Sequence, residues 1–128
     1  MTDYSKMLSL AYPGSGWSLP DITVFETLAW DSSNSLSKPT LPEVLVRLDI
    51  VKPIEAIRLL REKRNQMLAE SDMHALPDFP HPDESTKQAW LTYRQALRDV
   101  MQNNTPTLVA TTLELDELSV VWPVKPSS

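Results

Sequence analysis

Two histidines and the acids around them are the residues best suited by type to do chemistry. His74 and His81 share a short stretch with Asp72, Asp78 and Asp83, which together offer the nitrogen and oxygen donors a divalent ion takes. Their spacing matches no standard ligand pattern, and three prolines interrupt the stretch, so it reads as a kinked polar loop with surface histidines. Nucleophilic catalysis needs Ser, Thr or Cys beside a base. Cysteine is absent, no G-x-S-x-G elbow occurs, and two histidines leave few bases. Acids are plentiful, yet nothing in the sequence pairs any two as proton donor and acceptor. The chain therefore reads as a non-enzyme with no catalytic residue, no metal and no cofactor.

Charge excludes a further class. The 128 residues carry a formal net charge of -5, whereas nucleic-acid binders show a basic excess or stripe. The one basic concentration, Arg47, Lys52, Arg58, Arg61, Lys63 and Arg64, is interleaved with Asp49, Glu55 and Glu62, the pattern of a solvated helix face. There are 2 glycines, too few for phosphate-cradling loops, and 11 prolines, which mark boundaries. No apolar run approaches the roughly 20 residues of a membrane span. The N-terminal residues do not pattern as a signal peptide, and the lack of cysteine fits a reducing compartment.

These residues need elements to position them. Asp3 to Ala11 reads as a short helix capped by Thr2 or Asp3 and ended by Tyr12-Pro13-Gly14. Trp17-Ser18-Leu19 and Ile22 to Trp30 read as strands of a β-hairpin around Pro20-Asp21. Val24, Leu28 and Trp30 would lie on one face and Phe25 on the other. Thr40 and Glu43 form a capping box for a short helix from Pro42 to Leu48, and Pro53 suits the first turn of a separate helix. That second helix, Pro53 to Glu70, places Ile54, Ile57, Leu60, Met67 and Leu68 on one arc, with Arg64 inside it. Arg64 then needs an acceptor, and Asp72 and Asp78 are nearest in sequence. A third helix, Asp83 to Met101, clusters Trp90, Tyr93, Leu97 and Val100 on one face.

The fold class expected is α+β: a small N-terminal β-hairpin with short helices, an antiparallel helical hairpin, and an extended C-terminal segment. The division is 1–50, 51–104 and 105–128. In the last segment Val109, Thr111, Leu113 and Leu115 alternate as in a strand. Leu118, Val120, Val121, Trp122 and Pro123 follow as an apolar patch, unusual for a solvated tail. That patch either docks on the chain's own hairpin or binds a partner; Trp is suited to both.

The motifs resemble a known family. Arg64-Asn65-Gln66-Met67-Leu68-Ala69-Glu70-Ser71-Asp72, then Leu76-Pro77-Asp78 and Pro80, then Trp90 and Tyr93-Arg94-Gln95-Ala96-Leu97-Arg98-Asp99, with a closing Trp122-Pro123, resemble the phage tail assembly chaperone family. Met73-His74 replaces the Trp-Thr pair usual after Ser-Asp, which changes the loop's aromatic anchor. The stretch Thr107 to Ser119 is longer than that family's pattern. The N-terminal part, with Trp17, Leu28-Ala29-Trp30-Asp31 and Lys38-Pro39-Thr40, is similar to a small module of phage tail-region proteins. The tail-fibre assembly chaperones share a related C-terminal pattern. The resemblance implies a chaperone or accessory that binds another phage tail protein, and the expected place is the host bacterial cytoplasm or the virion. The charge and the apolar pattern add the expectation of no membrane and no nucleic-acid partner. Alternatives are a structural tail component retained in the virion and a host-directed regulatory binding protein. The oligomeric state is not readable from the residues.

Overall fold

The computed structural model describes residues 2–127; Met1 and Ser128, the outermost residues of the 1–50 and 105–128 segments, lie outside the described residues. The fold is α+β. It comprises two compact units, one built from residues up to Ala56 with Leu108–Glu114, the other from Ile57–Thr107 with the chain from Leu115 onward.

The first unit opens with α1, Tyr4–Ala11, because Asp3 caps it: its carboxylate accepts from the Ser5 and Lys6 backbone N–H groups. Strands β1, Trp17–Ser18, and β2, Ala29–Trp30, form a two-stranded antiparallel sheet with Trp17 opposite Trp30. The expected second strand is thus only two residues long. Ahead of it, Phe25–Thr27 is a 3₁₀ turn, and Phe25 and Leu28 are both buried while Val24 is exposed. Local hydrogen bonds cause this: Asp21 Oδ1 accepts from Thr23 N at 3.0 Å, and Thr27 Oγ1 donates to Val24 O at 2.8 Å. Such bonds compete with strand pairing even in a β-branched stretch. The core here joins Leu8, Tyr12, Leu19, Phe25, Leu28 and Val44, with Tyr12 edge-on to Trp30 at 5.5 Å.

Helix α2 runs unbroken over Leu41–Ser71, where two helices were expected. Its start is the capping box: Thr40 N donates to Glu43 Oε1 at 3.1 Å, and Glu43 N to Thr40 Oγ1 at 3.4 Å. Pro53 sits inside it and deprives the Asp49 carbonyl of its usual donor. No Gly or Asn stands in the preceding turn to end the helix, so the chain carries it through. Ile54 and Ile57, placed on the buried arc by periodicity, are 66% and 41% exposed.

The second unit is an antiparallel helical hairpin. After α2, Asp72–Ala75 makes a 3₁₀ turn, and α3 spans Glu84–Asn103 with Asp83 as cap, accepting from Thr86 N at 2.7 Å. Leu60 packs with Val100 at one end, and Met67 and Leu68 pack with Trp90, Tyr93 and Leu97 at the other. The strand-like alternation from Val109 to Leu115 is instead a tight turn closed by a single β-bridge, in which Val109 N donates to Glu114 O at 2.7 Å and Asp116 N to Thr107 O at 2.8 Å. Leu113 N donates to Val109 O at 2.8 Å, and Leu113 is left-handed at φ 58°. Among the described residues no helix is long and apolar enough to cross a membrane.

Candidate partner-binding site

The loop of the hairpin is fixed from α3. Arg94 falls between Trp90 and Leu97 on the apolar face, so its side chain enters the hairpin, and the residue is only 7% exposed. A buried guanidinium needs acceptors. It donates to Leu68 O at 2.8 Å, Ser71 Oγ at 2.7 Å and Asp72 Oδ1 at 2.8 Å. These three bonds tie the end of α2 and the first residue of the loop to α3. Arg64, the arginine expected to hold Asp72 or Asp78, instead donates to Asn65 Oδ1 at 2.9 Å, and Asp78 is exposed in the turn after the 3₁₀ segment. Arg94 was legible in principle, since it lies on the arc that holds Trp90 and Leu97.

His74 lies flat on Trp90, ring centroids 3.6 Å apart and planes 13° apart. It thereby supplies an aromatic anchor from the loop. Phe79 packs on His74 at 4.6 Å, His81 Nε2 meets the His74 carbonyl at 2.9 Å, and Tyr93 stands edge-on to Trp90 at 5.9 Å. Desolvation pushes the His74 imidazole below its ordinary value, against the opposing hydrogen bond of the Ser71 backbone. Desolvation, with the Glu70 charge, pushes the Tyr93 hydroxyl up. The two histidines thus serve packing. Among the described residues no three His, Asp or Glu groups converge to hold a metal.

The C-terminal segment divides into two faces. Val120 is buried with Leu60 and Val100, and Trp122 packs against both ends of the hairpin core. Trp122 Nε1 donates to Glu117 Oε2 at 3.0 Å, Lys63 forms an ion pair with the same carboxylate, and Lys63 Nζ lies 5.3 Å from the indole centre. The hydrogen bond from Lys63, aided by that from Trp122, holds Glu117 below the usual carboxylate range despite some burial. Asn104 ends α3 by donating to Val100 O and fixes the segment by accepting from Val121 N at 2.9 Å. Docking inward leaves every third residue outside: Leu118 is 96%, Val121 81% and Val124 90% exposed. Of the five residues expected to meet a partner, Val120 points inward, Trp122 and Pro123 are half-buried, and Leu118 and Val121 are exposed, as is Val124 beyond them; these three exposed residues are termed the outer ridge.

A family model described as phage tail assembly chaperone protein matches residues 57–127, more than half of the chain. The chain belongs to the phage tail assembly chaperone family. The match begins at the first residue of the second compact unit. The hairpin, its Arg94 and His74 anchors, and the docked segment with its ridge therefore all lie within the tail assembly chaperone portion. The first 56 residues lie outside it. No curated protein and no solved structure matches the chain.

Proposed function

We propose that this member of the family acts in tail assembly by holding another tail protein through the ridge of Leu118, Val121 and Val124. The observation that carries this is the two-sidedness of the C-terminal segment. Its inner residues are pinned by Val120, Trp122 and Asn104, and its outer residues are large, apolar and almost wholly in solvent. A segment held this firmly has already lost its chain entropy, so a partner that covers the ridge gains apolar burial without ordering a tail. Binding, not catalysis, is the action, and the place of action is the host bacterial cytoplasm during assembly.

Affinity purification of the full-length chain from cells producing the phage or prophage tests this. A tail protein should co-purify in fixed ratio, and purified virions should lack the chain. A chain found stoichiometrically in finished virions contradicts the chaperone role and points to a retained tail component.

A further inference from the structure

The first compact unit carries an apolar surface of its own. Val46, Ile50 and Ile54 recur at every fourth position of α2 and stack as one stripe. They are 65%, 66% and 66% exposed. Beside the stripe, Tyr12, Pro42, Glu43, Val46, Arg47 and Ile50 line an open groove of about 430 Å³. Branched apolar residues this exposed on a charged helix cost solubility unless something covers them. The groove's charges are unequal in availability. Glu43 is engaged by Thr40 in the helix cap, at 2.9 Å and 3.1 Å. Arg47 lies 4.5 Å over the Tyr12 ring, and among the described residues no carboxylate pairs with it. The rim therefore presents an arginine fork with open donors next to an apolar stripe.

We propose that this groove is a second docking site, and that its occupant is an amphipathic helix of a partner protein bearing acidic residues along one flank of its apolar face. Apolar residues of the incoming helix lie on Tyr12, Val46 and Ile50, and a carboxylate takes the Arg47 fork. A second copy of this chain fits poorly. On α2 Asp49 and Glu55 project about 100° and 140° around the helix from Ile50, away from the stripe, and Glu43, which shares the stripe's face, is held in the Thr40 cap, so a copied stripe offers Arg47 no acid that is not already engaged. The site lies outside the family match, so its fate is separate from that of the Leu118 ridge.

The test uses the full-length chain and a pair of labelled synthetic helical peptides with leucines at i, i+4 and i+7. One is flanked by glutamates, the other by lysines. Fluorescence anisotropy should give at least tenfold tighter binding of the glutamate peptide. Arg47→Glu should reverse that preference, and Ile50→Ser or Val46→Ser should weaken both peptides with helix content unchanged by circular dichroism. Leu118→Asp should alter neither peptide's binding. Equal binding of the two peptides, or indifference to both Arg47 and Ile50 substitutions, overturns the proposal. A dimer in sedimentation that Ile50→Ser dissolves also overturns it, in favour of self-association.

Discussion

Arg94 of α3 and Asp72 at the head of the loop meet at 2.8 Å, with the arginine buried and the aspartate largely exposed. The pair is lopsided in consequence. Losing Asp72 leaves Arg94 with two other acceptors, Leu68 O and Ser71 Oγ. Losing Arg94 strips all three. Arg94→Ala should therefore destabilise the protein by about 2 to 3 kcal/mol, from the lost charge-assisted hydrogen bonds and the space left in the hairpin. Asp72→Asn should cost about 1 kcal/mol or less, as for exposed pairs. Urea denaturation of both variants measures the difference, and equal losses would show that Asp72 is the main anchor.

The stack of His74 on Trp90 carries a pH dependence. Desolvation favours the neutral imidazole in the folded chain, and His81, Lys125 and Arg94 add charge that disfavours protonation further. The folded value lies below the unfolded one, so the unfolded chain takes up the proton first. The contribution is whole above about pH 6.5, the ordinary histidine value, and is lost as pH falls toward the lowered folded value. Melting temperature should drop between pH 7.5 and pH 5.5, and His74→Phe, which keeps a ring on Trp90, should flatten that drop. An undiminished drop in the variant would place the titration elsewhere.

The two faces of the C-terminal segment should separate by stability. Trp122→Ala removes packing from the hairpin core and the hydrogen bond to Glu117, and should cost about 2 to 3 kcal/mol, below the range for a fully buried Trp. Leu118→Ser, at a residue 96% exposed, should stay within about 0.5 kcal/mol. Thermal melts of the two variants check this, and a large loss from Leu118→Ser would mean that Leu118 is covered.

Pro53 interrupts the hydrogen-bond ladder of α2 in its interior. Pro53→Ala restores the bond to Asp49 O and should stabilise the chain by about 1 to 3 kcal/mol, with higher helix content by circular dichroism. A destabilised variant would show that the local geometry set by the proline is needed.

Much of this architecture was legible because short-range chemistry dictated it. The Asp3 cap, the Thr40–Glu43 box and the apolar face of α3 follow from residue types at fixed offsets, and each is present. What misled was a local signal overridden by another. Pro53 marks a first turn as readily as an interior kink, so one helix looked like two. The branched residues from Ile22 to Val24 suggested a strand, but the Asp21 and Thr27 side chains turned the backbone. The arginine that holds the loop is Arg94 and not the expected Arg64. Sequence proximity favoured Arg64, whereas the antiparallel hairpin brings Arg94 back across to the end of α2. The two-sidedness of Leu118–Val124 was hidden for a related reason: nothing periodic in the segment says which residues the hairpin will take.

The most direct measurement is the affinity of the co-purifying tail protein for Leu118→Asp/Val121→Asp, set beside the melting temperature of the same variant. Both residues are exposed, so melting should stay within a few degrees of the parent while affinity falls at least tenfold. Parental affinity in a folded double variant would contradict the claim that the outer ridge of the docked C-terminal segment is where the partner binds.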